Sequence, residues 1–217
     1  MTLDTGRRTP RAALQRGLAE LALALPATSV DKLLAYLELL AKWNKTYNLT
    51  AIRDPLQAVS LHLLDSLSVL RELADKRGAL ADIGSGGGLP GIPLAIAEPA
   101  RRVTLNDANE KKAAFLRQAV IELGLANADV HVGRAEQWRP APRFAVVITR
   151  GFASLVDFLA ACRHLVAPGG VLAAMKGAYP EAELAQIPAD CDCGDVRRLK
   201  VPLLDAERHL VLCRAGS

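Results

Sequence analysis

The sequence predicts an α/β protein with a doubly wound, mostly parallel seven-stranded sheet, an antiparallel C-terminal hairpin and an N-terminal helical extension. Residues 10–75 show only helical periodicity, whereas short apolar segments alternate with helical ones from residue 78 onward. The last two apolar segments are joined through residues 202–207, a connection too short for a parallel crossover. We therefore expect a helical extension over residues 1–76 and a sheet domain over residues 77–217.

The helical extension should contain three helices. The first is expected over residues 11–25. Ser29 can cap a second helix, whose apolar residues share one face: Val30, Leu33, Leu34, Leu37, Leu40 and Ala41. A third should begin with Asp54 as its cap and Pro55 in the first helical position, and should run to about residue 74.

The sheet domain is predicted from its apolar segments. Five lie at residues 79–83, 102–105, 130–133, 144–149 and 170–176, with helices expected near residues 89–97, 109–123 and 154–165. This alternation indicates βαβ units and a parallel sheet. Segments 195–201 and 209–214 should form the antiparallel pair. Such a layout resembles that of S-adenosylmethionine (SAM)-dependent methyltransferase domains.

A glycine-rich turn follows the first strand, where Asp82 leads into Gly84, Gly86 and Gly88 and then Leu89. The loop and the amides of the next helix are typical of a nucleotide cofactor site. Gly86-x-Gly88-x-x-Gly91 also satisfies the dinucleotide pattern, so a nicotinamide-dependent oxidoreductase is an alternative. A pyrophosphate is disfavoured beside Asp82, whereas the cationic groups of SAM are favoured there. A turn without a ligand is the remaining possibility.

Composition narrows the protein class. The longest apolar run, near residues 18–25, is too short to span a bilayer, and the sequence starts without the features of a secretory signal. The four cysteines lack paired spacing, which favours reduced thiols, a cytoplasmic protein and no metal site. The net charge of +4 permits a nucleic-acid partner. The basic residues near the start are either a solvated terminus or a phosphate-binding arm.

Strand ends supply further candidates, because ligands bind at the carboxyl ends of such strands. Asp107 can accept hydrogen bonds from a ribose or cap the following helix, and Glu136 can bind an adenine or be solvated. Arg150 and Lys176 end the fourth and fifth strands, where two cations suit an RNA backbone or a substrate phosphate, although Lys176 could simply be solvated. In the extension, His62 and Asp65 share a helical face, either as site residues or as a polar patch.

These segments together resemble the bacterial 16S ribosomal RNA guanine-N7 methyltransferase family, also called the glucose-inhibited division protein B family. The matching segments are Trp43-Asn44-x-x-Tyr47-Asn48-Leu49-Thr50, His62-Leu63-Leu64-Asp65-Ser66, Asp82-Ile83-Gly84-Ser85-Gly86-Gly87-Gly88-Leu89-Pro90-Gly91-Ile92-Pro93, Lys111-Lys112-x-x-Phe115-Leu116, Arg150-x-Phe152-Ala153, Lys176-Gly177 and Glu207-Arg208-His209-Leu210. The resemblance covers roughly residues 35–214.

The resemblance implies methyl transfer from SAM to N7 of the guanine at position 527 of 16S rRNA, as free rRNA or within the small ribosomal subunit. It places Gly84 and Leu89 at the cofactor loop, Ala135 and Glu136 at the adenine, and Arg150 at the cofactor or the target. The residues that it assigns to substrate positioning are Asn48, His62, Asp65, Lys176 and Arg208. We expect a monomer without membrane or metal contacts.

The chemistry of guanine N7 explains why the sequence lacks an evident catalytic dyad or triad. N7 has a lone pair and no proton, so attack on the methyl group needs no general base. Catalysis then depends on positioning the reactants and on managing charge. A carboxylate, for which Asp65 is the candidate, could stabilise the cationic methylated base. A SAM-binding, ribosome-associated protein without catalysis is the non-enzymatic alternative.

Overall fold

A computed structural model describes residues 9–215 of the chain, and within them lies one seven-stranded sheet of order β3-β2-β1-β4-β5-β7-β6. The strands are β1 (Leu80–Ile83), β2 (Val103–Asp107), β3 (Ala128–Val132), β4 (Phe144–Arg150), β5 (Val166–Lys176), β6 (Cys191–Arg198) and β7 (His209–Ala215). The first five pair in parallel, whereas β7 runs antiparallel to both β5 and β6. The predicted fold class is therefore confirmed.

Seven helical segments surround this sheet in the described part of the chain: α1 (Pro10–Glu20), α2 (Ala27–Tyr47), α3 (Pro55–Ala58, continuing as the π-helix Val59–Leu64 and then Asp65–Leu67), α4 (Gly91–Ala97), α5 (Glu110–Glu122), α6 (Leu155–Cys162) and α7 (Glu181–Leu184). Short 3₁₀ turns lie at Ala135–Gln137 and Arg163–Leu165. None of these helices has the length and apolar character needed to cross a membrane.

Several predicted boundaries in the helical extension were wrong. Helix α1 ends at Glu20 instead of residue 25, and Ala22 adopts a left-handed φ of 50° before Pro26. Ser29 does not cap α2; it lies inside that helix, and its hydroxyl donates to the carbonyl of Ile96. A side chain near a predicted helix start can thus be used for a tertiary contact.

The third helix is also shorter than predicted, because regular helix ends at Leu67 instead of residue 74. Ser66 Oγ donates to the His62 carbonyl, and Ser68 Oγ donates to the Asp65 carbonyl. Such side-chain bonds compete with the backbone ladder and bend or end helices. The apolar residues beyond this point still pack into the core, so periodicity alone extended the prediction too far.

In the sheet, the largest boundary error concerns β6, which was predicted at residues 195–201 and lies at Cys191–Arg198. Its register against β7 shifts between Asp192 and Asp195, and such a bulge disrupts the period-2 pattern on which the prediction rested. Strand β5 begins at Val166, four residues before the predicted start at 170. The short helix α7 was not predicted.

Apolar side chains pack on both faces of the sheet. On one face, leucines of α1, α2 and α3 form a single cluster with residues of α4, α5 and the strands. On the other face, α6 packs with residues of β4, β5 and β7. The helical extension therefore shares its core with the sheet, and this packing holds its polar residues over the carboxyl ends of the strands.

The cysteines depart from the expectation of reduced thiols. Cys193 and Cys213 form a disulfide whose Cα atoms are 4.1 Å apart, whereas Cys162 and Cys191 are free thiols. The bonded residues lie on the adjacent antiparallel strands β6 and β7. Their separation of 20 residues in sequence carries no pairing signal; the register of the two strands brings them together.

Candidate active site

The glycine loop lies between β1 and α4, at the carboxyl end of the sheet. Gly84 and Gly86 have φ angles of +67° and +58°, which L side chains rarely adopt. A Cβ at Gly84 would meet no atom within 4 Å, and one at Gly86 would meet only the Gly84 carbonyl at 3.8 Å. Gly84 and Gly86 thus leave an open cradle above the backbone, which fits a cofactor that approaches the main chain closely. The other two predicted loop residues, Gly88 and Leu89, are buried, and a Cβ at Gly88 would lie 2.3 Å from Ile92 Cδ1.

Asp82 lies beneath this loop and is fully buried. Its Oδ2 accepts hydrogen bonds from Ser85 Oγ at 2.5 Å and from the Gly91 amide at 2.9 Å. Among residues 9–215, its Oδ1 has no hydrogen-bond partner, and burial raises the pKa of Asp82 to about 6. Asp82 therefore fixes both ends of the loop, and it would act on a cationic cofactor through its charge instead of by open contact.

Asp107 ends β2 and is bonded to the same loop. Its Oδ2 accepts from the Gly86 amide at 2.9 Å, and its Oδ1 accepts from the Asn109 amide at 2.8 Å. The cap of α5 is Asn109 and not Asp107, because Asn109 Oδ1 accepts from the amides of Lys111 and Lys112. A carboxylate oxygen has more than one lone pair, so Asp107 retains acceptor capacity toward the cradle.

The residues expected at the adenine lie beyond β3, an edge strand of the sheet. Ala135 and Glu136 form a 3₁₀ turn, in which Ala135 is buried and Glu136 is exposed. Asn106, which the sequence did not single out as functional, fixes this end of β3 because its Nδ2 donates to the Gly133 carbonyl at 2.9 Å. The turn is therefore held beside β2 and the cradle.

Asp65 joins two arginines that are distant in sequence. Arg150 Nη1 donates to Asp65 Oδ2 at 3.0 Å and to the Leu61 carbonyl at 2.9 Å, and Arg208 Nε donates to Asp65 Oδ1 at 3.0 Å. Asp65 is only 3% exposed. Both of its oxygens are thus bonded to arginines. Asp65 therefore holds two arginine side chains in place and is not a free carboxylate.

Five predicted substrate residues line one cavity of about 430 Å³: His62, Asp65, Arg150, Lys176 and Arg208. Lys176 Nζ also bonds both carboxylate oxygens of Glu183, at 2.9 and 2.8 Å. Its charge is therefore shared with α7, and the interpretation of Lys176 as a solvated side chain is wrong. The sixth residue, Asn48, lines a neighbouring cavity with Asn44 and Ile52, and Ile52 also borders the first cavity.

The segment that follows α2 is held in place by side chains. Asn48 ends this helix in the left-handed conformation (φ 50°, ψ 53°). Asn44 bonds both backbone groups of Thr50, through Nδ2 to the carbonyl at 2.8 Å and through Oδ1 from the amide at 2.9 Å. Thr50 Oγ1 lies 2.9 Å from His62 Nε2. The matched Asn-Leu-Thr segment therefore connects α2 to the cavity, a role that its composition alone did not reveal.

His62 belongs to the π-helical part of α3 and is 5% exposed. Burial and the nearby Arg150 guanidinium lower the pKa of His62 to about 4. The imidazole is therefore neutral at pH 7. π-Helical turns are rare and often mark functional sites, and here the turn brings His62 and Asp65 to the same cavity.

Tyr36 is the main contact that the sequence did not indicate. Its side chain is fully buried in α2, and its hydroxyl donates to the Gly87 carbonyl at 2.5 Å. Leu40 of the same helix packs under Gly87, where a Cβ would lie 3.1 Å from Leu40 Cδ1. The helical extension thus supports the glycine loop directly. A tyrosine on an apolar helical face gives no signal that separates it from an ordinary core residue.

Comparisons with known proteins identify the family to which the sequence is similar. The family model described as rRNA small subunit methyltransferase G matches residues 29–211. Relatives with the name Ribosomal RNA small subunit methyltransferase G include one from Laribacter hongkongensis, 52% identical over 91% of this chain and 95% of its own length. Another, from Neisseria meningitidis serogroup A, is 51% identical over 92% of this chain and 95% of its own length.

Solved structures support the fold alone, since their sequence identity is low. A SAM-dependent methyltransferase from Aquifex aeolicus covers 80% of this chain and 97% of its own, with a TM-score of 0.57 and 20% identity. DhpI in complex with SAH covers 93% of this chain and 98% of its own, with a TM-score of 0.53 and 18% identity. With the family model extending from the second helix to the last strand, and with relatives above 50% identity along nearly their whole length, the chain belongs to the rRNA small subunit methyltransferase G family.

Proposed function

We propose that this protein transfers the methyl group of SAM to N7 of the guanine at position 527 of 16S rRNA, as its family membership implies. The observation that carries this proposal is structural. The open glycine cradle and the cavity with Arg150 and Arg208 lie at the same carboxyl edge of the sheet. One site can thus hold a cofactor while the other holds a polyanionic substrate.

SAM fits the cradle by its chemistry. When bound, it supplies a methyl group activated by a positive sulfonium. Gly84 and Gly86 would admit it to the backbone, and Asp107 would accept hydrogen bonds from its ribose. Gly88 and Leu89 are buried, so they would support the loop from below. Buried Asp82 favours a cationic ligand through its charge. We assign the adenine to the turn of Ala135 and Glu136, which adjoins β2.

The cavity residues bind and orient the RNA in this proposal. Arg150 donates through Nη1 and Arg208 through Nε and Nη1. A guanidinium has five N–H donors, so each arginine retains donors for a phosphate. Because both Asp65 oxygens are bonded to these arginines, we assign Asp65 to positioning them and not to stabilising the methylated base. Asn48 and Lys176 would shape the rim together with Glu183.

The proposed reaction needs no proton acceptor, because guanine N7 carries no proton. His62 is buried, and its pKa is lowered to about 4 by desolvation and by the Arg150 guanidinium. A neutral imidazole adds no further charge beside the arginines. Thr50 holds its ring in one orientation, so His62 acts as a packing and positioning residue. Rate enhancement then comes from the alignment of the two reactants.

Tritiated methyl incorporation into undermethylated 30S subunits tests the proposal. We expect label in 16S rRNA, released as 7-methylguanosine after digestion with nuclease and phosphatase and located at one nucleotide. A ribosome-associated protein without catalysis would bind the subunits and leave them unlabelled. Calorimetry with SAM and with NADH separates the oxidoreductase alternative, which requires heat of binding from NADH alone.

We further infer that the protein works as a cytoplasmic monomer on free rRNA or on the small subunit, where the family's substrate is found. The sedimentation coefficient of the purified protein, alone and mixed with 30S subunits, distinguishes a monomer from a dimer. A stable dimer in the absence of RNA would contradict this inference.

A further inference from the structure

Tyr179 is an exposed aromatic residue in the loop that follows β5, close in sequence to residues that line the substrate cavity. The residue is 54% exposed, and it follows Lys176 and Gly177, both of which line that cavity. Its ring meets the His209 ring nearly perpendicularly, with centroids 5.6 Å apart and an interplanar angle of 87°. Such a contact covers at most one face of the tyrosine, and the exposure of a large apolar side chain is left without a structural purpose.

The position of Tyr179 is fixed by the sheet and not by the loop alone. His209 is 6% exposed, and it lies opposite Lys176 in the antiparallel pairing of β5 and β7. Its Nδ1 donates to the Gly177 carbonyl at 2.8 Å. The loop that carries Tyr179 is thus bonded to a buried ring, which in turn contacts the tyrosine just after the cavity-lining Gly177.

The cavity provides the other half of a nucleotide site. Arg150 and Arg208 both line it, and both donate hydrogen bonds to Asp65. Arginine fork geometry suits phosphate oxygens. Proteins that bind single-stranded RNA commonly combine such cations with an aromatic ring on which a base stacks. Tyr179 supplies an exposed ring a few residues after the cavity-lining Lys176, so both components of such a site are present.

We propose that Tyr179 is a substrate-positioning residue whose ring stacks on an unpaired base of the ribosomal RNA next to the target guanine, while Arg150 and Arg208 bind the adjoining phosphate. This inference rests on the proposed function, which supplies RNA as the substrate. Stacking tolerates any base because every base has a flat face. Tyr179 therefore holds the strand in place without reading its sequence.

Substitution of the ring tests this role with undermethylated 30S subunits. We expect Tyr179→Leu, which keeps apolar bulk but removes the aromatic face, to raise the KM for subunits about tenfold, with Tyr179→Ala at least as severe. Because the ring acts on RNA binding, kcat and the Kd for SAM should change less than twofold. Tyr179→Phe retains the face and should restore the wild-type KM.

Ile121→Ala is the matched control, since it removes a 73% exposed apolar side chain from the outer side of α5. Its KM should equal that of the wild type. The inference fails if Tyr179→Leu and Tyr179→Ala keep the wild-type KM, or if Tyr179→Phe is as impaired as Tyr179→Leu. Thermal unfolding of each variant distinguishes loss of the stacking face from loss of fold.

Binding of subunits, measured by filter retention without a methyl donor, separates this inference from the proposed function. A wild-type protein that labels no rRNA defeats the proposed function. Equal retention of wild-type and Tyr179→Leu protein defeats the stacking role alone, even where methyl transfer is normal. Weaker retention of Tyr179→Leu by about tenfold supports the stacking role, whether or not the methyl group is transferred.

Discussion

At the scale of single residues, Asp65 shows how one buried carboxylate organises two cations. The side chains of its partners Arg150 and Arg208 are 24% and 22% exposed, whereas the side chain of Asp65 is 4% exposed. Removing one partner of a buried ionic cluster leaves uncompensated charge, which is usually more costly than the net value of the pair. The cluster therefore restricts substitution at Asp65 more strongly than at a surface ion pair.

We expect Asp65→Asn to lower the free energy of unfolding by about 3 kcal/mol, because the two guanidinium groups lose their shared anion. Methyl transfer to 30S subunits should fall at least tenfold as the arginines separate. Urea unfolding and initial rates measure the two effects. Asp31→Asn is the control, since the Arg11–Asp31 pair is half exposed and should change stability by less than about 1 kcal/mol. Equal losses in both variants would contradict the role of Asp65.

Tyr36 makes a single polar contact from an otherwise apolar position. Tyr36→Phe removes the donor to the Gly87 carbonyl, and an unsatisfied buried carbonyl costs about 1–3 kcal/mol. We expect that loss of stability together with several-fold weaker SAM binding, because the loop loses its support. Calorimetry measures the affinity. Tyr47→Phe, at a 39% exposed ring, is the control; unchanged SAM affinity in Tyr36→Phe would show that α2 does not hold the loop.

At the scale of elements, the glycine loop contains two different kinds of glycine. Gly91 is tightly packed, because a Cβ there would lie 2.7 Å from Asp82 Oδ2 and 2.3 Å from Leu105 Cδ2. Gly84 has open space at the same point but a φ of +67°. The first position is required by the core beneath the loop, and the second by the backbone conformation. The open space above Gly84 is where we propose that the cofactor lies.

Alanine substitutions should separate these two requirements. Gly91→Ala should lower the free energy of unfolding by about 1–3 kcal/mol through overpacking. Gly84→Ala should lower the free energy of unfolding by about 1–2 kcal/mol, because the backbone there is left-handed. It should also weaken SAM binding more than tenfold, since the alanine side chain would occupy the cradle. Urea unfolding and calorimetry on both variants check this. If Gly84→Ala binds SAM as the wild type does, the cofactor does not lie over Gly84.

The elements also show where sequence patterns stop being informative. The motif between Asp82 and Gly91 and the alternation after residue 78 predicted the order of strands and helices, because both signals are local. The bulge in β6 and the end of α3 at Leu67 were missed. In α3, side-chain hydrogen bonds interrupt the helix while the apolar residues continue. In β6, a shift of register interrupts the alternation. Hydrophobic periodicity indicates neither change.

At the scale of the whole molecule, two buried groups give the stability opposite dependences on pH. Burial lowers the pKa of His62 to about 4. As the pH falls from 6.5 toward 4, the unfolded state binds a proton that the folded state does not, so the free energy of unfolding declines. Burial raises the pKa of Asp82 to about 6. As the pH rises from 4 toward 6, the unfolded state loses a proton that the folded state keeps, so the free energy of unfolding declines. Between pH 4 and 6 the two slopes oppose each other.

The lowered pKa of His131 adds the same slope to the wild type and to variants of the other two residues. We therefore expect the pH slope of the wild-type free energy of unfolding to lie between those of the two single variants in that window. His62→Gln keeps the titration of Asp82 without that of His62, so its free energy of unfolding should fall as the pH rises from 4 to 6. Asp82→Asn keeps the titration of His62, so its free energy of unfolding should rise over the same range. Each change should amount to about 2–3 kcal/mol. Urea unfolding at half-unit pH intervals measures the slopes, and variants with parallel profiles would contradict the assignment.

The sequence by itself determined the α/β order, the glycine cradle and the family, because each depends on residues close together in the chain. The tertiary structure alone decided that Asp65 meets Arg150 and Arg208, 85 and 143 residues away, and that Tyr36 reaches the loop 51 residues on. It also paired Cys193 with Cys213. Such contacts are set by strand register and by helix packing on the sheet, and those are properties of the folded core that no local pattern encodes.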